Sequence, residues 1–231
     1  MKLRIALPIS IAVLSGSLWL FAQVKDFRPV TETMLRSPAA GDWLNWRRTD
    51  NVWGYSPLDQ IKRENVQQLQ LAWSWSMEEG AQEATPLVHD GVMYLPNPRG
   101  VIQALDAATG DLIWEYHPAS AARAGGEGNG VQRNIAIFGD KIFGTTNDAH
   151  IIALDARTGK VVWDTVVADQ KLGYQYTSGP IVVRGKVIAG ITGCSRYKED
   201  VCFITGHDAA TGKELWRTST VARPGEPGGE T

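Results

Sequence analysis

The chain has 231 residues, of which 43% are hydrophobic and 21% are charged, close to the values of an ordinary globular protein. This composition excludes a disordered tail, a collagen and a protein with several membrane spans. The formal net charge of −2 and the pI near 6.1 offer no positive field to a nucleic acid. Two cysteines are too few for a disulfide-rich scaffold or a four-cysteine zinc site. The 9 tryptophans and 24 glycines are unusually many, and three of the tryptophans recur at regular spacing.

The N-terminus has the pattern of an export signal. A basic start is followed by an apolar run from Ile5 to Ala22. Cleavage after Ala22 is expected, although Leu20 is a poor residue at the third position before a cut. An uncleaved anchor in the inner membrane is the alternative, because about eighteen residues can just span a bilayer. Both alternatives predict export to an oxidising compartment, with residues 23–231 as the folded part.

An eleven-residue pattern occurs three times, with Asp followed by Thr-Gly and then by Trp. The copies are Ala104–Trp114, Ala153–Trp163 and Gly206–Trp216. The Asp can accept hydrogen bonds from backbone N–H groups of a turn, and the Gly can adopt the positive φ that the turn needs. The Trp is suited to packing between sheets. The pattern predicts a hairpin in each copy, in which Asp106, Asp155 and Asp208 are turn residues and not metal ligands.

A second hairpin is predicted before each copy. Its turns carry Asp90-Gly91, Gly139-Asp140 and Arg184-Gly185 between short apolar runs. Four short strands in roughly 50 residues have the size of a propeller blade. We therefore predict an all-β fold, a β-propeller of which this chain holds three to four blades. Leu69–Trp75 is similar to the outer strand of an earlier, degenerate unit, and a short helix could form between Leu58 and Gln70.

The length is short for a closed propeller. After Ala22, 231 − 22 = 209 residues remain, at most four blades, whereas propellers close with roughly four to eight. We expect the chain to be the N-terminal portion of a longer protein. The alternative is a small propeller, or one that is completed by oligomerisation. The four histidines occur near turns and strand ends, and the surface is their expected place; they are His89, His117, His150 and His207.

The repeats resemble the tryptophan-docking motifs of the pyrroloquinoline quinone (PQQ)-dependent dehydrogenases. The runs Asp42–Ile61 and Glu83–Tyr94 also resemble those enzymes, and the resemblance covers nearly everything from Gly41 to Thr231. It implies an eight-bladed propeller that holds PQQ beside a Ca²⁺ or a lanthanide. It further implies oxidation of alcohols or aldehydes in the periplasm and electron transfer to a cytochrome or a quinone. The catalytic aspartate comes later in the family, so no catalytic residue is expected before Thr231.

The resemblance implies cofactor contacts for six residues. Glu83 matches a glutamate at the cofactor, and Arg133 matches an arginine near the quinone oxygens, where a guanidinium stabilises developing negative charge. Thr177 matches a threonine that hydrogen-bonds a cofactor carboxylate. Thr192, Gly193 and Cys194 match the small residues under the same cofactor. The alternative for each is an ordinary structural place: a surface carboxylate, a loop arginine or the end of an inner strand.

Two departures from the family pattern affect the metal and the cysteines. Ser195 stands where the family usually has a glutamate that binds the metal, and a neutral hydroxyl is a poor ligand for a hard dication. Either another group supplies that ligand, or the metal binds weakly, or activity is lost. Glu199 and Asp200 are expected at a solvated hairpin tip. Cys194 and Cys202 could form a disulfide, with two free thiols as the alternative.

A function of another class is a non-enzymatic propeller of the same repeat family. Such a protein acts as a scaffold in outer-membrane protein assembly and offers strand edges and loops to its partners. The Ser195 departure favours it, while Glu83, Arg133 and the N-terminal tryptophan run favour the dehydrogenase. A third reading is an inactive homologue that binds quinone without turnover.

Overall fold

The computed structural model describes residues 23–119, 131–193, 202–222, 225–226 and 229. Within these ranges three four-stranded antiparallel sheets follow one another, each with its strands paired in chain order. Blade 1 contains β1 (Leu87–His89), β2 (Val92–Pro96), β3 (Ile102–Asp106) and β4 (Leu112–Tyr116). Blade 2 contains β5 (Ala136–Phe138), β6 (Lys141–Thr145), β7 (His150–Asp155) and β8 (Val161–Val166). Blade 3 contains β9 (Ile181–Val183), β10 (Lys186–Gly190), β11 (Phe203–Asp208) and β12 (Glu214–Ser219). The all-β propeller fold is as predicted, whereas the predicted signal or anchor, residues 1–22, lies outside the described ranges.

The turns form for the reasons that the sequence indicates. Asp106 Oδ1 accepts from the amides of Ala108 and Thr109 at 2.9 and 3.0 Å, and Asp155 and Asp208 do the same in their own repeats. The first hairpin of blade 1 turns at Asp90-Gly91 with φ of 50° and 78°, the left-handed pair that a two-residue hairpin turn requires. The assignment of the three repeated aspartates to turns is confirmed.

Short helical segments lie outside the blades. They are α1 (Glu32–Arg36) and 3-10 turns at Val66–Gln68, Pro98–Gly100 and Gln170–Leu172. The helix predicted between Leu58 and Gln70 is wrong, because only Val66–Gln68 is helical there. The Asn65 side chain accepts from the Lys62 amide and donates to the Gln60 carbonyl, both at 2.7 Å, and such local bonds compete with a helix. No helix within the described ranges is long and apolar enough to cross a membrane.

The core lies between successive blades. The third strand of each blade is largely buried, as in β7, where the four central residues are buried. The fourth strands β8 and β12 are exposed or half-buried, whereas β4 buries Trp114 and Tyr116. One apolar cluster joins blades 1 and 2, and a second joins blades 2 and 3. The first strands β5 and β9 contact each other, so the blades converge at their first strands.

Tryptophans of the repeat join each blade to the next. Trp114 of blade 1 donates from Nε1 to the Ala156 carbonyl of blade 2 at 2.9 Å, and Trp163 of blade 2 donates to Ala209 of blade 3 at 3.1 Å. Each ring covers the glycine of the turn it meets, so a Cβ on Gly159 would lie 2.5 Å from Trp114. The glycine of the repeat therefore serves both its own turn and the tryptophan of the preceding blade.

Trp73 makes the same contact without belonging to a described blade. Its Nε1 donates to the Ala107 carbonyl at 3.2 Å, and its ring covers Gly110. Leu69–Trp75 has no assigned strand, and Leu71 is 83% exposed. The segment thus occupies the position of a fourth strand whose own sheet is not among the described residues.

An N-terminal strap, residues 24–48, crosses the turns of all three blades. Val30 exchanges two backbone hydrogen bonds of 2.8 Å with Gly139 of blade 2, and Trp43 pairs in the same way with Val88 of blade 1. Glu32 of α1 accepts from the Arg184 amide of blade 3 at 2.8 Å. The strap therefore fixes the blades to one another at the end of the sheets that carries the repeat turns.

Two histidines correct the expectation of surface positions. His89 and His207 are fully buried. His89 ends β1 under the strap, where its Nδ1 lies 3.2 Å from Asp42 and its Nε2 lies 2.8 Å from the Arg28 carbonyl. His207 is in β11 and its Nδ1 contacts the Gly212 carbonyl at 3.0 Å. Both nitrogens of His89 have polar partners in the strap, which accounts for its burial. Of the two His207 nitrogens only Nδ1 has a partner, and Nε2 is buried without one among the described residues.

Candidate cofactor site

The described residues with a predicted cofactor contact lie at the end of the blades opposite the strap. Glu83, Arg133 and Thr177 come shortly before β1, β5 and β9, the first strands of three successive blades. The first strands of a propeller surround its axis, so the segments that lead into them meet at the centre of one face. This placement brings residues together that are up to 177 − 83 = 94 positions apart in the chain.

Arg133 joins the other two residues. Its Nε lies 2.8 Å from Glu83 Oε2, and its Nη1 donates to the Thr177 carbonyl at 2.8 Å. The carbonyl of Arg133 in turn accepts from the Thr85 amide at 3.0 Å. The side chains of Arg133 and Glu83 are 42% and 47% exposed. The pair therefore presents both a guanidinium and a carboxylate to solvent on the face where the three blades meet.

Thr192 and Gly193 lie beside the segment that leads to Thr177. Thr192 exchanges two backbone hydrogen bonds with Gln175, and its hydroxyl donates to the Gln175 carbonyl at 2.9 Å. Gly193 has φ of 83°, and a Cβ there would overlap the Gly173 carbonyl. Only a glycine fits this close approach of two backbones.

The rest of the predicted site falls on residues 194–201, outside the described ranges. These include Cys194, Ser195, Glu199 and Asp200. The metal ligand set and the disulfide between Cys194 and Cys202 therefore stay predictions.

Three polar residues around Arg133 escaped the sequence reasoning. Gln132 and Thr145 are 5% and 4% exposed, and Asn134 makes two hydrogen bonds to residues 179 and 180. A signal was present in the sequence, because Gln-Arg-Asn directly precedes the apolar strand residues that start blade 2. Buried polar residues directly before such a strand need hydrogen-bond partners from a neighbouring element.

A buried polar network occupies the same end of blade 1. The amide oxygen of Gln103 accepts from Trp75 Nε1 at 3.0 Å and from Asn97 Nδ2 at 2.8 Å. Gln103 also donates to Glu115, which contacts His117. Burial alone would raise the pKa of the Glu115 carboxyl, but the hydrogen bonds from Gln103 and His117 outweigh it, so its pKa is lowered. At this end of blade 1 the Glu115 carboxylate is therefore held in its ionised form by Gln103 and His117.

A second cluster with metal-ligand chemistry lies at the opposite end, under the strap. It consists of Asp42, His89 and Asp90. Arg28 forms a two-pronged ion pair with Asp90, and its hydrogen bond to Asp90 lowers the pKa of that carboxyl. The Arg28 guanidinium already compensates the negative charge of Asp90, and its positive charge would repel a metal cation bound there. We assign this cluster to anchoring of the strap.

Comparison with known proteins agrees with this architecture. The family model "PQQ: Glucose/ethanol/alcohol dehydrogenase, beta-propeller domain" matches residues 43–231. The chain belongs to this family. It is 42% identical over 191 residues to the quinohemoprotein alcohol dehydrogenase ADH-IIG of Pseudomonas putida, covering 81% of this chain and 26% of that protein. It is 41% identical to the dehydrogenase subunit of the quinone alcohol dehydrogenase of Gluconobacter oxydans, covering 80% of this chain and 25% of that protein.

A solved relative shows the same fold. A europium-containing methanol dehydrogenase superposes with a TM-score of 0.71 at 32% identity, covering 80% of this chain and 33% of that one. The chain thus spans about a quarter to a third of the length of these relatives. The partial propeller seen here corresponds to a minor part of a larger propeller in the family.

The described residues fit the cofactor of this family in their chemistry. PQQ is a flat, anionic ortho-quinone with three carboxylates. A half-exposed guanidinium that is already fixed by a carboxylate and a backbone carbonyl suits such oxygens. Gly193 packs directly against the Gly173 backbone, so this part of the site is a close-packed backbone surface without a side chain. The site that these residues could form is one side of a quinone pocket, not a complete active centre.

Proposed function

We propose that this chain is part of a periplasmic PQQ-dependent dehydrogenase that oxidises alcohols or related aldehydes. The observation that carries the proposal is Arg133, which links Glu83 and Thr177 of neighbouring blades on one face. When bound, PQQ would supply the two-electron acceptor for the substrate, with a Ca²⁺ or a lanthanide as Lewis acid. Export would use residues 1–22, either as a cleaved signal or as an inner-membrane anchor.

The roles of the chain's own residues follow from their positions. Arg133 would hold the quinone oxygens and stabilise negative charge that develops on them. Glu83 fixes the guanidinium and would accept a hydrogen bond from the cofactor. The Thr177 hydroxyl would bind a cofactor carboxylate, while Thr192, Gly193 and Cys194 would form the close-packed surface beneath the ring. Electrons would pass to a cytochrome or a quinone, and the metal would need ligands other than Ser195, whose neutral hydroxyl binds a hard dication poorly.

The proposal is tested by titrating the complete native polypeptide with PQQ in the presence of Ca²⁺ or La³⁺. Quenching of tryptophan fluorescence reports binding. We expect saturable binding by the wild type, and a Kd about ten- to a hundredfold higher for Arg133→Lys, because hydrogen bonds to charged groups contribute about 1.5–3 kcal/mol. Lysine keeps the charge but loses the planar fork of donors.

Arg157→Lys is the matched control. Arg157 is 45% exposed and pairs with Asp155 at 3.3 Å, but it lies in a repeat turn at the strap end. Its Kd for PQQ should equal that of the wild type. A wild type without saturable binding would contradict the dehydrogenase and favour the scaffold. Saturable binding without substrate-dependent dye reduction would indicate the inactive homologue.

A further inference from the structure

The segment that carries Thr177 into blade 3 is held almost entirely by blade 2. Asn134 accepts from the Gly179 amide with Oδ1 at 3.0 Å and donates from Nδ2 to the Pro180 carbonyl at 3.1 Å. A Cβ on Gly179 would overlap the Asn134 carbonyl, so the two backbones are in direct contact. Asn134 thus clamps both residues that precede β9.

Buried hydrogen bonds extend this clamp deeper into blade 2. Gln132 donates from Nε2 to the Thr145 carbonyl at 2.9 Å, and the Thr145 hydroxyl donates to the Ser178 carbonyl at 2.9 Å. Gln132 and Thr145 are almost fully buried. Arg133, between Gln132 and Asn134, holds the Thr177 carbonyl. Residues 132–134 and 145 therefore contact each residue of the segment 177–180.

Exposed and buried contacts contribute differently to this arrangement. The ion pair of Arg133 with Glu83 is about half exposed, and such pairs alone hold geometry weakly. The contacts of Gln132 and Thr145 are shielded from water, and breaking one leaves a buried polar group unpaired. The place of the Thr177 backbone, and with it the direction of the Arg133 guanidinium, thus depends on the buried residues.

We propose that Gln132, Asn134 and Thr145 are positioning residues of the quinone site, which orient Arg133 and Thr177 without contacting the cofactor. The inference rests on the proposed function and adds residues that the family resemblance does not supply. Its mechanism is preorganisation: rigid neighbours fix the groups that bind the ligand, so less ordering is required on binding.

A pair of threonines provides the test. Thr145→Val removes a hydroxyl that donates from blade 2 to a blade 3 carbonyl at the site. Thr165→Val removes the same kind of bond, from Thr165 to the Gly212 carbonyl at 3.0 Å, at a repeat turn remote from the site. In the complete native polypeptide both substitutions should lower Tm by similar amounts. Only Thr145→Val should raise the Kd for PQQ, by about threefold to tenfold, the factor of an ordinary hydrogen bond.

Two further variants keep the test decisive. Thr145→Ser retains the hydroxyl and should restore the wild-type Kd. If Thr145→Val does not fold, Asn134→Asp replaces it, because it keeps the acceptor for Gly179 and loses the donor to Pro180; its Kd should rise in the same range. Equal Kd values for Thr145→Val and Thr165→Val would overturn the inference. So would a Thr145→Ser variant that fails to restore binding. If Asn134→Asp has to replace Thr145→Val, a Kd equal to that of the wild type would overturn the inference.

Hydrogen exchange separates this inference from the proposed function. The Gly179 amide should exchange faster in Thr145→Val than in Thr165→Val, whether or not PQQ binds. A wild type that binds no PQQ but shows this difference retains the clamp and refutes the quinone site. Equal exchange in the two variants would overturn the clamp itself.

Discussion

Trp114 and Trp216 occupy the same position of the same repeat, yet their surroundings differ. Trp114 is 5% exposed, and its indole donates to the next blade. Trp216 is 37% exposed, and its ring lies over its own blade, where a Cβ on Gly206 would overlap it. In blades 1 and 2 an alanine, Ala104 or Ala153, pairs with the tryptophan at that place. The motif therefore specifies a contact between blades. Its tryptophan stabilises the fold where the repeat turn of the next blade packs against it.

The largest expected effect is the loss of a buried docking tryptophan. Trp114→Ala should lower the free energy of unfolding of the 231-residue chain by about 3–5 kcal/mol, the usual cost of removing a buried aromatic side chain. Trp216→Ala should cost about 1 kcal/mol, in line with a partly exposed side chain that docks on no following blade among the described residues. Urea unfolding followed by circular dichroism measures both. Equal losses would mean that Trp216 is covered, for which the first check is self-association by gel filtration.

A smaller effect distinguishes the contact of Gly159 with the Trp114 ring from the backbone strain of the turn. Gly159 and Gly139 both have positive φ, of 69° and 59°. Gly139→Ala, with open space around the new methyl, should cost about 1–2 kcal/mol of backbone strain. Gly159→Ala places its methyl 2.5 Å from the Trp114 ring and should cost about 1–3 kcal/mol more through overpacking.

A double-mutant cycle checks the origin of that difference. In the Trp114→Ala background the extra cost of Gly159→Ala over Gly139→Ala should vanish, because the ring is gone. An extra cost that persists would place the strain in the turn and contradict the docking interpretation.

These local patterns explain why the blades could be predicted from sequence. An Asp that receives two turn amides, a glycine with positive φ and a tryptophan at fixed spacing act within eleven residues. The turns at Asp90-Gly91 and Arg184-Gly185 are equally local. Each such pattern is encoded in a short segment, so the sequence alone specifies it.

Contacts over long chain distances were not predictable in this way. His89 is buried because residues 28 and 42 of the strap cover it, and nothing near His89 in the sequence indicates the strap. The helix between Leu58 and Gln70 was predicted from local pattern, but the Asn65 side chain bonds the backbone instead. In the candidate site, family resemblance supplied Arg133 but not its neighbours Gln132 and Asn134. The partners of Asn134 lie 45 and 46 residues away in the chain, and the Gln132 partner Thr145 in turn bonds Ser178 of the next blade.

The smallest expected effect concerns pH and the aspartates of the repeat turns. The turn amides of Thr109 and Ala108 lower the pKa of Asp106, and the hydroxyl and amide of Thr211 lower that of Asp208. A pKa that is lower in the folded state means that the unfolded chain binds more protons in this range, so stability rises with pH. The stabilisation is complete above the unfolded pKa of about 4 and is lost as pH falls through the folded pKa.

Asp106→Asn should therefore flatten the fall of Tm with decreasing pH below about pH 5, because the amide still accepts from the turn but does not titrate. Asp59→Asn changes the net charge equally, and its side chain is 87% exposed, so it should leave the slope unchanged. The Asp106 turn presents the Ala107 carbonyl to Trp73, and the Asp208 turn presents Ala209 to Trp163. Protonation of either turn should therefore loosen a docking contact, and the fluorescence of Trp73 and Trp163 should shift to the red over the same pH range as Tm falls. An unchanged emission maximum over that range would show that docking does not depend on the aspartate.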